Sequence, residues 1–470
     1  MILLVAGMAG WLAPAARGDT IVLKNGRRIV AVNVVEENGR VSYETPAGRL
    51  SLPRAIVERV ERNAASAADT SAQLPLTPPP MEPGADYDEV ARAAVRDGSI
   101  DRDFIARLEE AARGGEVAGV ARVAMAHHAA AQFELRRGDF EQAIAHYRRA
   151  LTFAPDQPSL LLNAAYLHLR RSEYTAALEY LERARRAAPD SADQAKLAGW
   201  AYYGLNRIEE AVEEWKRAER IRPDAEVRRA LEKAERDLAA ESSYREGDTR
   251  HFVLRYSGAA APQLARDVLR TLEEHFRSIE SELDFTPPEP IGVILYTAQA
   301  FADITRAPGW VGALNDGRIR VPVQGLSAVP AELSRVLKHE LTHSFIQQKT
   351  GGRCPVWLQE GIAQWMEGAR SGTSAGALVS AYNRRSSLPL MALEGTWMSL
   401  AEPVAAYAYS WSLGVVEYII STYGMRDLER LLDRISAGAS AEAAAGSALR
   451  MDYAELERET VKYLRRTYLR

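Results

Sequence analysis

The HELTH motif at residues 339–343 combines residue types that can bind a metal and activate water. Residues four apart on a helix project from the same face, so His339 and His343 can hold one metal ion between them, and two imidazoles suit zinc. Glu340 lies about 100° further round the helix, where its carboxylate can reach a water on the metal without being a ligand. Because such a motif arises by chance in roughly one chain of this length in a hundred, the surrounding sequence must support it.

Glu360 is the candidate third ligand of a tetrahedral catalytic site that keeps one position open. It lies seventeen residues after His343. The spacing of apolar residues predicts a helix over 331–348 and a second helix over 357–370. Since two helices joined by so short a loop must lie side by side, Glu360 can face the histidines. The alternative is a solvated first-turn glutamate matched to the helix dipole, but its distance from HELTH favours the ligand.

The elements before this motif predict a small sheet beside a long helix. Residues 251–256 and 291–296 have strand composition, and the amphipathic stretch 261–283 between them predicts a helix. Residues 316–323 (DGRIRVPV) form another strand candidate. Its Pro322 lacks an amide hydrogen, which favours an edge position over a central one.

Together, HELTH, the segment WLQEGIA and the strand DGRIRVPV resemble the peptidase-MA-like branch of the gluzincin metallopeptidases, over about 245–425. The resemblance implies one Zn²⁺ per chain with His339, His343 and Glu360 as ligands and Glu340 as general base. It also implies that the strand Arg318–Val323 borders the cleft and pairs with an extended substrate.

A tyrosine-bearing segment, 405–418, resembles the helix that follows the zinc site in this family. The resemblance makes Tyr407 the first candidate for a hydrogen-bond donor to the oxyanion, and Tyr409 the second. A tyrosine in an apolar helix is more often part of the core, and that alternative stays open for both. Many thermolysin-like relatives have an aspartate four residues after the glutamate ligand, where it orients a histidine. Gln364 occupies that position here, so the partner of the histidines is not defined by the pattern.

These residues predict a zinc-dependent metallopeptidase that hydrolyses peptide bonds with a zinc-activated water, Glu340 taking the water's proton and passing it to the leaving amine. Nothing in the sequence indicates a subsite for a free amine, so we expect an endopeptidase. The alternative is a non-catalytic envelope scaffold whose peptidase-like domain binds peptides or proteins without cutting them.

Between about 120 and 236 the sequence repeats with a period of 34 residues. The period appears in prolines, in two sets of alanines and in a large apolar residue, and the period and residue types resemble the tetratricopeptide repeat. Such a stack offers a groove for a peptide or protein partner, although some stacks only brace a neighbouring domain. The recurring residues are Pro155, Pro189 and Pro223; Ala143, Ala177 and Ala211; Ala150, Ala184 and Ala218; and Tyr147, Leu181 and Trp215.

The amino-terminal part predicts export. Residues 2–12 are apolar and small residues follow, as in a secretory signal, while the run is too short to span a bilayer. We therefore expect a periplasmic or secreted protein with no stable membrane span, although a buried amino-terminal element is the alternative. The predicted division is a signal peptide (1–18), a small β module (19–62), a Pro/Ala/Ser-rich linker (63–85), helical repeats (86–240) and a zinc metallopeptidase domain (245–470).

Composition limits the remaining classes. The chain has 470 residues, 26% of them charged, with a formal net charge of −4. No basic run points to nucleic acid, and the single cysteine, Cys354, cannot form an internal disulfide. We expect that thiol to be packed in the turn, and Arg353 either to contact a substrate carboxylate or to be solvated. The other histidines show no ligand spacing with a carboxylate and are predicted to be structural or on the surface: His127, His128, His146, His168, His251 and His275. The fold class predicted is multidomain and mostly α, with a small β module, a tetratricopeptide-like solenoid and an α+β zincin-like peptidase domain.

Overall fold

The computed structural model describes most of the chain from residue 86 onward and the strands of the amino-terminal module. The predicted signal peptide lies outside the described residues, as does the linker except for Pro79, which is buried. The described residues are 19–23, 28–37, 40–45, 48–54, 57–61, 79, 86–114, 117–257, 262–297, 300–301, 313–323, 326–384, 387–395, 397 and 402–469.

Five antiparallel strands make up the amino-terminal module, which belongs to a compact unit of its own. Four strands follow each other as a meander, and the fifth returns to pair with the first, giving the order β4-β3-β2-β1-β5. The strands are β1 (Asp19–Leu23), β2 (Arg28–Glu37), β3 (Arg40–Thr45), β4 (Gly48–Pro53) and β5 (Val57–Glu61).

The repeats belong to the second compact unit, together with everything that follows them. Two helices joined by a short hairpin pack on the first long repeat helix. These are α1 (Tyr87–Ala94), β6 (Val95–Arg96), β7 (Ser99–Ile100) and α2 (Arg102–Arg113). Three helix pairs and a last helix follow: α3 (Val117–Arg137), α4 (Phe140–Leu151), α5 (Pro158–Arg170), α6 (Tyr174–Ala187), α7 (Ala192–Gly204), α8 (Ile208–Ile221) and α9 (Ala225–Glu241).

The recurring alanines and large apolar residues form the core between the repeat helices, which explains the 34-residue period. Ala143, Ala177 and Ala211 are fully buried where paired helices meet. Side chains larger than a methyl group would force the helices apart, so only the small residue fits at this point of every repeat.

The remainder of the chain combines one mixed sheet with helices. The strands are β8 (Arg245–Asp248), β9 (Phe252–Tyr256), β10 (Ile291–Tyr296), β11 (Leu314–Asn315) and β12 (Ile319–Pro322), in the order β11-β12-β10-β9-β8. The helices are α10 (Pro262–Leu283), α11 (Ala331–Thr350), α12 (Val356–Met366), α13 (Ala375–Asn383), α14 (Glu402–Tyr423), α15 (Met425–Ser436), α16 (Ala441–Ala448) and α17 (Tyr453–Tyr468).

The segment predicted as a single strand at 316–323 is instead the turn and second strand of a hairpin. Asp316 and Gly317 form the turn, with Gly317 in the left-handed region at φ 96°. As a result, β12 is not the outermost strand: β11 pairs with its first half, and β10 runs parallel to it on the other side. The amide of Val323 donates to Tyr296 O in β10, so the neighbouring position, Pro322, has its nitrogen on the side away from β10. The missing amide hydrogen of Pro322 therefore costs no bond to β10.

The sheet is buried on both faces, which explains why every residue of β10 is buried. Val293 and Leu295 belong to the core shared with α10 and α11. Gly292 and Tyr296, on the opposite face, contact residues of the repeats. A strand covered on both sides must be apolar throughout, as its sequence is.

The structure confirms a mostly helical fold with tetratricopeptide-like repeats, small amino-terminal strands and a carboxy-terminal region that combines a sheet with helices. Among the described residues, no helix combines the length and apolar character needed to cross a bilayer.

Candidate metal centre

Two helices, α11 and α12, position the predicted ligands. Leu337, Leu341 and Phe345 bury one side of α11 in the core, which leaves His339 and His343 on the side that meets α12. Gly351 ends α11 in the left-handed conformation, at φ 58°. The chain then turns within a few residues, so α12 packs directly beside α11.

The three predicted ligands converge on one point. The Nε2 atoms of His339 and His343 are 3.2 Å apart. Glu360 Oε2 is 3.4 Å from Nε2 of His339 and 3.6 Å from Nε2 of His343. Among the described residues, this is the group of three or more histidine, cysteine or acidic side chains placed to hold a metal ion.

These distances fit zinc. Bonds of 2.0–2.1 Å at tetrahedral angles place ligand atoms about 3.3–3.4 Å apart, close to the three separations found. Glu360 Oε2 is also buried without a hydrogen-bond partner. A buried carboxylate oxygen without a partner is costly, and a cation at the centre of the triangle would satisfy it.

Mutual electrostatics perturb the ligands strongly. Burial alone would raise the pKa of Glu360, but the positive charge and close approach of His343 and His339 lower it to about 2. Burial would likewise lower the pKa of His339, yet Glu360 and Glu367 raise it to about 10. The cluster therefore carries a carboxylate that attracts positive charge.

Glu340 is buried beside the ligands without being one of them. Burial raises its pKa, and the charges of Glu360 and Glu367 act in the same direction, whereas His339 and His343 oppose the shift. The position on α11 agrees with the predicted role of a base next to the metal rather than on it.

Glu367 is a functional candidate that sequence reasoning missed. Its Oε2 lies 3.6 Å from Nδ1 of His339, on the other side of the ring from the metal-facing Nε2. A carboxylate in that place favours a proton on Nδ1 and leaves the Nε2 lone pair free for a metal. The available signal was its spacing of seven residues from Glu360, two helical turns along the same face.

Gln364 has a different role from the aspartate of thermolysin-like relatives. Its amide donates to the carbonyl oxygens of Glu360 and Tyr409, at 3.1 and 2.9 Å. It therefore joins α12 to α14. Gly361 permits this contact, because a Cβ there would lie 2.5 Å from the carbonyl oxygen of Ser412.

The charges that act on the two candidate phenols, Tyr407 and Tyr409, differ. Residues two apart on a helix project about 200° apart, so the two phenols leave α14 on different sides. Burial and then the charges of Glu360 and Glu340 raise the pKa of Tyr409. The pKa of Tyr407 rises to about 12 through burial and the charge of Glu457, which belongs to α17. Of the two phenols, that of Tyr409 is the one whose pKa is affected by charged residues of the candidate site.

Arg353 is placed in neither of the two predicted environments. Its guanidinium lies over the ring of Phe140 in the repeats, 4.6 Å from the ring centre. Burial and the nearby Arg170 lower the pKa of Arg353 to about 10. Cys354 is buried, as expected for a packed thiol, and burial raises its pKa well above the ordinary value.

The other histidines lie outside the candidate site, but three of them pair with a carboxylate that spacing did not reveal. His127 contacts Glu109 at 3.0 Å, and it also lies against His146. The remaining two pairs are His168 with Glu173, at 2.6 Å, and His251 with Glu273, at 2.8 Å.

Comparison with known families supports both halves of this architecture. Residues 280–466 match the family model of the Peptidase MA superfamily. Residues 134–200 match a model of the tetratricopeptide repeat. The chain carries a Peptidase MA superfamily domain joined to tetratricopeptide repeats. It is thus a peptidase-like protein with a repeat domain of the kind that mediates protein–protein interaction. No curated protein matches it.

Solved structures resemble the repeats. The first tetratricopeptide domain of human RPAP3 is 24% identical, with a TM-score of 0.25, over 26% of this chain and 97% of that one. A MamA mutant is 19% identical, with a TM-score of 0.23, over 29% of this chain and 83% of the other.

Proposed function

We propose that the protein is a zinc-dependent metallopeptidase of the gluzincin type that cleaves peptide bonds within proteins or peptides. The observation that carries the proposal is the triangle of His339 Nε2, His343 Nε2 and Glu360 Oε2. Its three interatomic distances fit the edges of a tetrahedron of ligand atoms around zinc. Membership of residues 280–466 in the Peptidase MA superfamily supports it.

The three ligands hold the metal, and the chain's other residues move the protons. Zinc bound there supplies Lewis-acid polarisation of a carbonyl and activation of water. Glu340 takes a proton from the attacking water as its oxygen bonds to the scissile carbon, and delivers that proton to the amine nitrogen as the C–N bond breaks. The second proton of the water also passes to the amine nitrogen, so the products are a carboxylate and a protonated amine, and Glu340 returns to its starting state.

Tyr409 is the proposed donor to the oxygen that gains negative charge during the attack. The charges that act on its phenol come from Glu360 and Glu340, at the site. A donor aimed at that oxygen stabilises the transition state more than the bound substrate. Glu367 orients His339 through Nδ1.

The proposed location is outside the cytoplasm, on the evidence of the apolar segment 2–12 and the small residues after it. The proposed partner of the repeats is a protein substrate or adaptor. Fractionation of cells that express the full chain, followed by amino-terminal sequencing of the mature protein, tests export; an uncleaved cytoplasmic product would contradict it.

Metal content is the first experiment. Protein purified without added metal should contain about one zinc per chain by mass spectrometry of the metal, and Glu360→Ala should lose it. Glu332→Ala is the matched control, because Glu332 lies on the same helix as the histidines and is exposed. No zinc in the parent after supplementation would overturn the proposed site.

Catalysis is tested with a peptide library on the zinc-loaded protein. Glu340→Gln should retain zinc and lose cleavage by at least about a hundredfold, whereas Glu332→Gln should cleave like the parent. Cleavage that survives in Glu340→Gln would contradict the mechanism. If parent and Glu340→Gln bind zinc and the same proteins but neither cleaves, the scaffold hypothesis gains.

A further inference from the structure

The face of the mixed sheet that packs on the repeats carries two buried arginines, and the proposed chemistry does not use them. Arg318 and Arg320 are 2% and 1% exposed. Arg320 donates to both carboxylate oxygens of Asp237, at 2.9 and 2.8 Å, and to Asp316 at 3.0 Å. Arg318 donates to Glu241 and lies 3.4 Å from Asp237. Since Asp237 and Glu241 belong to α9, these bonds join the repeats to β12.

Two phenols complete this network and fix its geometry. Tyr203 of α7 donates to Asp237 at 2.8 Å, and Tyr296 of β10 donates to Glu241 at 2.6 Å. Charges this deeply buried are tolerated only when their pairing geometry is well satisfied. The repeat helix and the sheet are therefore held in one arrangement.

The turns of successive repeats make further contacts with the peptidase domain. The left-handed residues Gly138, Ser172 and Asn206 recur every 34 residues, one per helix pair. A Cβ at Gly138 would collide with the backbone of Gly438, and Asn206 lies against Gly292 in β10. The helical repeats therefore pack against the peptidase domain along the row of turns between their helices, and are not connected to it by a linker alone.

A direct path leads from this interface to the helix of Glu340. Asp316, in the hairpin turn, pairs with Lys233 of α9 at 2.8 Å. The preceding residue, Asn315, donates from Nδ2 to the backbone carbonyl of Glu340 and to Ser344 Oγ, both at 2.7 Å. One residue step therefore separates the ionic contact with the repeats from the contact with the catalytic helix.

We propose that the repeat array sets the position of Glu340 through the hairpin 314–322, with Asn315 as the positioning residue. The proposal rests on the proposed peptidase function for its consequence in catalysis, but the contact it describes exists without that function. It gives the repeats a role inside the peptidase, in addition to any partner they bind.

The Asn315→Asp variant distinguishes a role of Asn315 in positioning Glu340 from a role in the hairpin turn. The Oδ1 atom of Asn315 accepts from the amide of Gly317 at 3.1 Å, and aspartate keeps that acceptor while losing the Nδ2 donor. Asp237→Asn perturbs the same path from the repeat side without touching α11. Lys196→Met is the matched control: Lys196 is buried among Asp224 and Glu226 in the repeats, away from the hairpin.

The test combines hydrogen exchange over residues 337–347 of the zinc-loaded protein, the visible spectrum of the cobalt-substituted protein, and kcat and KM on a cleaved peptide. Asn315→Asp and Asp237→Asn should each speed exchange there about tenfold and lower kcat about tenfold with KM nearly unchanged, at full metal content. Lys196→Met should leave all three readouts as in the parent.

Parental exchange and parental spectra in both variants would overturn the proposal. If Asp237→Asn does not fold, Lys233→Met takes its place, because it removes the pair with Asp316 and the contact of the ammonium with the Tyr203 ring but leaves the arginine–carboxylate bonds in place. An inactive or metal-free parent would count against the peptidase function alone, because hydrogen exchange would still report whether the hairpin holds the helix.

Discussion

The interface of α9 with β12 and the space between α11 and α12 both contain buried charged side chains, and the two regions differ in how far their polar atoms satisfy each other. In the interface of α9 with β12, each arginine faces a carboxylate and each of those carboxylates also accepts from a phenol. Between α11 and α12, two imidazole nitrogens point at one another and at a carboxylate oxygen without a hydrogen-bond partner.

This difference separates structure from function. A network in which most polar atoms are paired stabilises one arrangement and leaves little capacity for a ligand, and here Nε of Arg318 is the arginine nitrogen without a hydrogen-bond partner. Polar atoms that converge on a point without pairing are costly unless something else is bound there.

Arg320→Met should destabilise the protein by about 3–5 kcal/mol, because the buried carboxylates of Asp237 and Asp316 would each lose the guanidinium that neutralises them. Urea unfolding of the metal-free protein measures this. Glu360→Gln should not cost a comparable amount in the same assay, and Arg458→Met, which removes an exposed pair with Glu455, should change stability by at most about 1 kcal/mol. Equal losses from Arg320→Met and Glu360→Gln would remove the distinction between the clusters.

Tyr409→Phe should lower kcat by about 10²–10³ with little change in KM, since the lost hydrogen bond acts mainly on the transition state. Tyr407→Phe is the control, with a change of a few-fold at most, because Tyr407 senses Glu457 instead. Steady-state kinetics on an identified peptide decide between them. A larger effect of Tyr407→Phe would restore the order predicted from the sequence.

Glu367→Gln should weaken zinc binding by about 10–100-fold, because glutamine holds the Nδ1 proton of His339 less strongly than a carboxylate does. Competition with a zinc chelator measures the dissociation constant. Gln364→Ala provides the comparison: it breaks the bonds to Glu360 O and Tyr409 O but not the contact with His339. Unchanged affinity in Glu367→Gln would exclude this carboxylate from the metal site.

His128→Asn should make the repeats less sensitive to acid. Burial lowers the pKa of His128 to about 4, whereas an unfolded histidine titrates near 6.5, so the unfolded chain binds more protons between these values. The contribution of a neutral, buried His128 to the free energy of unfolding is therefore complete above about pH 6.5. It falls towards pH 4, by up to about 1.4 kcal/mol per pH unit. Asparagine can keep a hydrogen bond with Tyr147, whose hydroxyl oxygen lies 2.9 Å from Nδ1 of His128.

Urea midpoints at pH 7, 5.5 and 4.5 give the slope of stability against pH for parent and variant. Gln132→Ala is the control, because it removes another bond to Tyr147 without removing a titrating group, and should lower stability equally at each pH. Identical slopes in parent and His128→Asn would show that this histidine does not contribute to acid sensitivity.

Short-range periodicity in the sequence was enough to predict the zinc-ligand cluster and the stacked repeats. The pair His339 and His343 follows from helical spacing, and Glu360 follows from a loop too short to let two helices separate. The 34-residue period likewise predicts stacked helix pairs, because each repeat buries the same alanine against its neighbour. In all these cases the residues that must meet are close in the chain.

Contacts between segments far apart in the chain could be identified only from the tertiary structure. Asp237 meets Arg320 although 83 residues separate them, and no periodic pattern links the two. The same holds for the turn at Asp316, where a charge from α9 stabilises a hairpin that strand propensity reads as one strand. Tyr409 and Tyr407 have nearly equal sequence surroundings, and packing of α14 on α12 selects between them. Local propensity acts within a few residues, whereas burial of a charge or a phenol depends on whichever elements pack around it.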